Sequence, residues 1–329
     1  MFLTAFPLLA ALLTRDPVLI SGITISTKLP WLLFSLFTGA ISDRMDRRKL
    51  MIGADATRCI IVGILAALIA TDQATIWILY ACSFLLGTCE TLHTNCAQAI
   101  IPALVKQDQL IEANARFTSV QVTSAQFVGP SLGVVLFNAS SVLPFAADAI
   151  TFASSAVLVK AIPDEHGVER PTTRIRDDML DGIRFLRDNL VLRRLTFILT
   201  LLNFFYFAAA ALLVLYTTDI LNSGKITFTA LSVGAAAGTV ASRFIVTRLS
   251  ITMNATQTIL LSLWVWAISS IGIAFTSNRY VAIASYVVLG VGNGLWTIIN
   301  TTLRQQITPD RMLGRMNAAF RTISWGVVP

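Results

Sequence analysis

The segment GAISDRMDRRK, from Gly39 to Lys49, joins two long apolar runs of the sequence. The run before it covers residues 18 to 41, and the run after it covers residues 50 to 70. Each run is long enough for a helix to cross a hydrocarbon core about 30 Å thick, which needs about 20 apolar residues. A basic joint between two such runs is typical of an α-helical membrane protein, because Lys and Arg stay outside the bilayer.

The amino-acid composition extends this prediction to the whole chain. Of its 329 residues, 55% are hydrophobic and 13% are charged, and the mean hydropathy is +0.72. A soluble domain usually has about 25% charged residues. The net charge of +7 comes from basic residues in the joints between apolar runs, which indicates membrane topology and no nucleic-acid partner. The predicted fold class is therefore an all-α polytopic membrane protein.

Cofactor and metal motifs are missing from the sequence. The four cysteines all lie in apolar runs and form no Cys-x-x-Cys pair, so we interpret them as small residues at helix contacts. The phosphate loop Gly-x-x-x-x-Gly-Lys-Ser/Thr of ATP-binding proteins is also missing. We therefore expect no cofactor, no metal ion and no ATP-driven pump within this chain.

The distribution of apolar runs predicts three parts of the chain. Residues 1–161 hold six predicted spans and form an N-terminal transmembrane half, and residues 195–329 hold five and form a C-terminal half. The polar linker 162–194 between them contains an amphipathic helix, predicted from Met179 to Leu192. The first span is short and the eleventh stops at Pro329, so we expect the chain to lack part of helix 1, most of helix 11 and helix 12.

Nearly all Lys and Arg residues fall on one side of these spans, which predicts that the linker faces the cytoplasm. An internal repeat also appears when Gly39–Lys49 is aligned with Gly238–Arg248, a segment expected to join the corresponding spans of the second half. The same comparison places Leu295 opposite Glu90. Two parallel six-helix halves are implied, an arrangement in which transport sites lie between the repeats near the midplane.

The joint itself resembles a signature of the major facilitator superfamily. Gly39, Asp43, Arg44, Arg47 or Arg48, and Lys49 match the family's Gly-x-x-x-Asp-Arg-x-x-Arg-Arg/Lys pattern. The resemblance implies the superfamily fold, with two pseudo-repeated six-helix halves and transport by alternating access. It also implies that Asp43 binds the N-terminal end of a neighbouring helix and that Asp43 and Arg44 act as a conformational switch.

A second resemblance concerns the direction of transport. AQFVGPSLG, from Ala125 to Gly133, is similar to the exporter motif Gly-x-x-x-Gly-Pro-x-x-Gly, with Gly129, Pro130 and Gly133 in place and Ala125 instead of the first glycine. LPWLLFSLFTGAISDRMDRRKLM and HTNCAQAIIPALVKQDQLIEANARF resemble the branch that contains enterobactin and macrolide exporters. That branch also contains lipid-handling members. The alternative interpretation of the motif is a plain packing helix bent at proline.

Ionisable residues inside apolar runs are candidates for function, because a charge in a bilayer is costly. Asp55 and Arg58 are three residues apart and are expected to form a structural pair. Glu90, near the middle of its span, is the candidate proton carrier, and His93 on the same face is a candidate relay. The alternative for both is a polar helix contact.

The candidate substrate cavity combines deep charges with aromatic side chains. Lys28 either pairs with Asp148 or receives an anionic group of the substrate. Trp31, Phe204 and Trp296 are candidate lining residues, and lipid-facing or packing roles are the alternative.

Together these features favour a monomeric, proton-coupled exporter of small amphipathic compounds of the drug, macrolide or siderophore type, in a bacterial inner membrane. An importer or lipid flippase of the same fold is the alternative, and a membrane scaffold or intramembrane enzyme is a remote one.

Overall fold

The computed structural model describes residues 2–162 and 175–325, so the first part of the predicted linker, residues 163–174, lies outside the described residues. Within those ranges the regular secondary structure is helical, and no strand occurs. The α-helices are α1 (Phe2–Leu13), α2 (Pro17–Arg44), α3 (Arg47–Ala70), α4 (Ile76–Leu104), α5 (Leu110–Thr123), α6 (Gly129–Ala139), α7 (Leu143–Val159), α8 (Ile175–Asp188), α9 (Leu190–Ala211), α10 (Leu213–Leu215), α11 (Lys225–Thr252), α12 (Ala255–Ala274), α13 (Arg279–Ile307) and α14 (Leu313–Trp325).

Four shorter helical turns connect these elements. The 3₁₀ turns Gln107–Gln109 and Asp310–Met312 lead into α5 and α14, and the π-helices Ser124–Val128 and Tyr216–Ile220 follow α5 and α10. Eight helices of the described ranges are long and apolar enough to cross a membrane, where α5, its π-helix and α6 count as part of one span. The chain is therefore a multi-pass membrane protein, as its composition predicts. The helix α8 overlaps the first part of the segment Met179–Leu192 predicted to be amphipathic, and the last residues of that segment begin α9.

Capping residues set the beginnings of several long helices. The Asp16 carboxylate accepts a hydrogen bond from the Val18 N–H at 2.8 Å, ahead of Pro17, which is the first residue of α2. Asp46 caps α3 by accepting from the Lys49 N–H at 3.1 Å. Asn254 caps α12 in the same way.

The contacts of the chain group into two compact units, and each has its own core. Among the described residues, unit 1 comprises 2–103, 128–162, 175–196 and 308–325. One apolar cluster of this unit surrounds Phe145, which is fully buried and meets the Phe6 ring edge-on at 5.5 Å. Unit 2 comprises, among the described residues, Leu104–Phe127 and Phe197–Ile307. A cluster around Leu295, Ile298 and Ile299 of α13 forms part of its core.

The helix lengths correct the register of the predicted repeat. Both α2 and α11 have 28 residues, and each is followed by a two-residue joint that ends in the capping residue of the next helix, Asp46 or Asn254. Gly238–Arg248 therefore lies inside α11, and the prediction that it forms a joint between spans is wrong. The counterpart of Asp43 in this register is Ile251, which is 83% exposed.

The register of the fourth span changes as well. Both α4 and α13 have 29 residues, and each leads through a 3₁₀ turn into α5 or α14 without insertion or deletion. Gly87 then corresponds to Gly290, and the two glycines make the same approach, to the Thr27 and Ala235 carbonyl oxygens. Glu90 consequently corresponds to the exposed Asn293, not to Leu295. Helix lengths and caps determine the register of the repeat. An alignment that matches glycines and basic residues gives a different register.

Candidate functional site

The last turns of α2 pack directly on the first turns of α14 at Gly39. A Cβ atom built on Gly39 would lie 2.5 Å from the Ala318 Cβ and 2.6 Å from the Gly314 carbonyl oxygen. Both distances are too short for real atoms, so the two backbones approach this closely because residue 39 has no side chain. We call Gly39, Asp43, Arg44, Gly314 and Arg315 the α2–α14 junction.

Asp43 binds the N-terminal end of α14. Its Oδ1 accepts from the Gly314 N–H at 2.7 Å, and its Oδ2 accepts from the Arg315 N–H at 2.9 Å. The first N–H groups of a helix have no partner within the helix and carry its positive end. The carboxylate is 1% exposed and also accepts from Arg315 Nε at 3.3 Å. The helix partner that sequence reasoning left unnamed is therefore α14.

The other signature residues hold the surrounding backbone. Buried Arg47 donates to the Ala99 carbonyl oxygen at 2.9 Å and to the Asp310 carbonyl oxygen at 2.7 Å, and its Nη2 lies 3.5 Å from Asp43 Oδ1. Arg47 thus connects the start of α3 to α4 and to the 3₁₀ turn before α14. Arg48 is half-buried in the first turn of α3.

Asp178 of the linker helix α8 completes the junction, a contact that sequence reasoning missed. Its carboxylate, 1% exposed, accepts from Arg44 Nε at 2.5 Å and from Arg315 Nη1 at 2.9 Å. The available signal was the spacing of Asp178, Gly182 and Leu186, which places an acid on the same helix face as two residues suited to packing. All three are buried.

A second charged group lies among α3, α4 and α7, and we call its members Asp55, Arg58, Glu90 and His93 the α3–α4 cluster. Arg58 Nη2 is 3.0 Å from Asp55 Oδ1, which is the expected pair, and Arg58 Nη1 is 3.0 Å from Glu90 Oε2. His93 Nε2 lies 3.5 Å from Asp55 Oδ2. The Ser155 hydroxyl of α7 donates to the same Asp55 oxygen at 2.6 Å.

Exposure divides this cluster into two parts. The side chains of Asp55 and Arg58 are 1% and 5% exposed, whereas that of Glu90 is 39% exposed and that of His93 is 22% exposed. The Phe152 ring covers the Arg58 guanidinium at 4.9 Å. Asp55 and Arg58 therefore form a covered pair, and Glu90 and His93 are the more exposed members of the cluster.

The candidate cavity residues of unit 1 lie in different surroundings. Trp31 is half-buried, and the Arg321 guanidinium of α14 stacks over its ring at 5.2 Å and donates to the Asn95 side chain at 3.4 Å. Lys28 is exposed, and Asp148 is 4% exposed. Among the described residues, no ion pair connects Lys28 to Asp148.

The remaining predicted residues are spread over both units. Gly129 and Pro130 begin α6 directly after the π-helix, and Gly133 is buried. In unit 2, Phe204 is 42% exposed and touches Phe205 edge-on, while Trp296 is buried.

Unit 2 has its own charged contact at the start of α5. Glu112 Oε1 is 3.5 Å from Arg243 Nη2 of α11, and Glu112 Oε2 accepts from the Thr247 hydroxyl at 2.8 Å. Two residues further along α5, the Asn114 side chain donates to Thr302 at 3.0 Å and to Gln305 at 2.6 Å, both on α13.

Buried charges at helix ends and inside apolar spans are features of membrane transporters. The chain belongs to the transmembrane secretion effector family of the major facilitator superfamily, whose family model matches residues 5–329. It is therefore a transporter and not an enzyme.

Individual relatives agree with this family. Macrolide efflux protein A of Enterococcus faecalis is 25% identical over 297 residues, which cover 88% of this chain and 91% of that protein. The Escherichia coli fucose:proton symporter has the same fold, with a TM-score of 0.75 at 13% identity over 99% of this chain and 87% of that one. The human organic anion transporter TETRAN gives 0.74 at 16% identity, over 94% and 75% of the two chains.

Proposed function

We propose that this protein is a secondary active exporter that moves small amphipathic compounds of the drug, macrolide or siderophore type outward in exchange for protons. It works by alternating access, as a monomer in a bacterial inner membrane with the linker in the cytoplasm. Two observations support export: the Gly129, Pro130 and Gly133 motif at the start of α6, and the similarity to a relative named for macrolide efflux.

The proton site is Glu90, and its accessibility carries this assignment. Two carboxylates, those of Asp55 and Glu90, contact the guanidinium of Arg58. Arg321 of α14 adds a second positive charge that interacts with Glu90. A carboxylate held by such cations binds a proton more readily when helix motion takes the cations away. Glu90 is the proposed site because its side chain is 39% exposed, whereas that of Asp55 is 1% exposed.

The repeat supports the same assignment. The position that corresponds to Glu90 in the second half is Asn293, so the fold does not require an acid at this place. His93 lies 3.5 Å from Asp55 and one turn from Glu90, where it relays protons between the covered pair and the accessible acid. The predicted cavity residues contribute to the substrate path in other states of the cycle: Trp31, Lys28, Asp148, Phe204 and Trp296.

The α2–α14 junction is the conformational switch of this proposal. In the conformation described, Asp43 holds the N-terminal end of α14, and Gly39 allows the two helices to touch. In the proposed cycle, this closed junction belongs to the state that is closed to the cytoplasm. Opening to the cytoplasm then requires the Asp43 hydrogen bonds to break.

The test is Glu90→Gln in inverted membrane vesicles energised by a proton gradient, with radiolabelled erythromycin as the macrolide probe. We expect macrolide accumulation driven by the gradient to be lost, while exchange of bound macrolide without a gradient persists. Asp188→Asn, which removes an exposed acid of α8, is the matched control and should retain accumulation. Full gradient-driven accumulation by the Glu90→Gln protein would overturn the coupling assignment.

The alternative is an importer or lipid flippase of the same fold. Right-side-out and inverted vesicles separate these directions, because an exporter concentrates the probe only in inverted vesicles. A fluorescent phospholipid in reconstituted liposomes gives the flippase arm, in which movement of the lipid without macrolide transport would favour the alternative.

A further inference from the structure

The linker helix α8 docks on the α2–α14 junction through one continuous face. Asp178, Gly182 and Leu186 recur at intervals of one turn and are all buried. A Cβ atom on Gly182 would lie 2.8 Å from the Arg315 carbonyl oxygen, so the glycine allows α8 to lie against the backbone of α14. Residues 176 and 177 before this face and Arg184 on the same helix are exposed.

The charge of the junction explains why an acid belongs at position 178. Arg47 and Arg315 both pair with the Asp43 carboxylate, and Arg44 is a third positive charge at the junction. Asp178 adds a second carboxylate, with Oδ2 bound to Arg44 on α2 and Oδ1 bound to Arg315 on α14. Two arginines that would repel each other are thereby joined through one buried acid.

The corresponding end of α5 carries an acid where α14 has an arginine. Arg315 is the third residue of α14, and its counterpart, the third residue of α5, is Glu112. Glu112 lies 3.5 Å from Arg243 of α11, and the two have opposite signs. At the α2–α14 junction, Arg44 and Arg315 have the same sign and cannot pair with each other. Asp178 of the linker helix supplies an acid between them.

We propose that α8 is a working part of the switch and not a passive connector. Asp178 is a positioning residue that clamps Arg44 of α2 to Arg315 of α14, and α8 must undock whenever these two helices separate. The linker thereby sets how long the junction stays closed in each transport cycle. This inference concerns the junction alone and holds whatever compound the transporter carries.

Hydrogen–deuterium exchange of the full chain in nanodiscs tests the docking without any substrate. We expect Asp178→Asn to raise amide exchange in α8 and in the first turn of α14 by about tenfold or more, because a buried partner of two arginines is lost. Asp181→Asn removes an acid from the same helix that is 43% exposed and pairs with Arg184, and it should exchange like the wild type.

A steric variant tests the same docking with every charge in place. Gly182→Ala puts a methyl group against the Arg315 carbonyl oxygen and should undock α8 to a similar extent. Gly53→Ala is its control, because a Cβ there meets nothing within 4 Å and both substitutions favour the helix equally in isolation. If the Asp178→Asn protein fails to accumulate in membranes, amide exchange in α8 of Gly182→Ala compared with Gly53→Ala decides whether α8 docks as proposed.

Turnover measurements separate positioning from plain structural support. Asp178→Asn and Gly182→Ala should change the maximal transport rate several-fold and leave the half-saturating probe concentration near wild type. Arg44→Gln combined with Asp178→Asn should be no worse than the more severe single change, because both substitutions remove the same Arg44–Asp178 ion pair. Wild-type exchange in α8 of both variants, or additive effects of Arg44→Gln and Asp178→Asn, would overturn the proposal.

Discussion

Replacing Asp43 by Asn is the sharpest test of the α2–α14 junction, because shape is kept and charge is removed. The new side-chain amide would keep one oxygen acceptor for the first turn of α14 and place an N–H₂ group where the second backbone N–H now donates. Of the two hydrogen bonds from the Gly314 and Arg315 N–H groups to the Asp43 carboxylate, one is lost and the other no longer has a charged acceptor. Such bonds contribute about 1.5–3 kcal/mol each, and an anion at a helix N-terminus contributes up to about 2 kcal/mol.

These contributions predict that Asp43→Asn weakens the closed junction by about 3 kcal/mol. Since about 1.4 kcal/mol corresponds to a factor of ten, the equilibrium should move roughly a hundredfold toward the open junction. Turnover should fall because the closed state is poorly populated. Binding of the transported compound should be spared, because Asp43 contacts the α14 backbone and arginines and lies at the end of its helix.

Electron spin resonance distances across the junction provide the assay. Met45 and Arg311 are both exposed and flank the contact, so spin labels at Met45→Cys and Arg311→Cys report its opening after the native cysteines are replaced by Ala. Asp46→Asn is the matched control, because it removes a neighbouring charge while Asn caps α3 as well as Asp does. The reasoning is wrong if Asp43→Asn and Asp46→Asn give the same distances, or if binding and turnover fall together.

Three further substitutions have distinct expected outcomes. Gly39→Ala should increase the distance between the same two spin labels, because its methyl group overlaps α14 and overpacking costs about 1–3 kcal/mol. Gly63→Ala is the control and should leave that distance unchanged, because a Cβ atom there meets nothing within 4 Å. Ser155→Ala removes the 2.6 Å hydrogen bond to Asp55 and should lower the thermal midpoint by the equivalent of about 1–3 kcal/mol, measured by tryptophan fluorescence in detergent. Arg58→Gln leaves the two carboxylates of Asp55 and Glu90 without their shared partner, a loss of about 3–5 kcal/mol. The folded yield in membranes, measured by size-exclusion fluorescence, should therefore fall sharply. A normal yield would show that the cluster does not need this arginine.

Local features of the sequence predicted the fold class, the α2 side of the α2–α14 junction and one ion pair of the α3–α4 cluster. The joint at Gly39 and Asp43 could be recognised because its chemistry is concentrated in a few adjacent residues, and the pair of Asp55 with Arg58 follows from their spacing on one helix. Their distant partners could not be predicted. Which helix meets Asp43, and that Arg58 also binds Glu90, depend on how helices from separate parts of the chain pack.

The repeat shows why aligning similar residues of the two halves gave the wrong register. Gly238 and Arg248 resemble the residues of the joint, yet both lie within α11, where the glycine serves close packing against α13. The caps at Asp46 and Asn254 indicate the correct register, and both are legible in the sequence as an Asp and an Asn before a helix. A register argued from caps places Ile251 opposite Asp43.

In the corrected register, the proposed switch has no counterpart at the equivalent position of the repeat. Ile251, opposite Asp43, has no acceptor for helix N–H groups, and the contact of Glu112 with Arg243 joins two side chains that are each about one-third exposed. A partly exposed pair contributes only about 0–1 kcal/mol, because water and salt screen it, whereas Asp43 acts from a site that is 1% exposed. Raising the salt concentration should therefore weaken the Glu112 contact and leave the Asp43 contact nearly unchanged. The α2–α14 junction, clamped by α8, is thus the stronger of the two contacts, and its opening should limit how fast the transporter cycles.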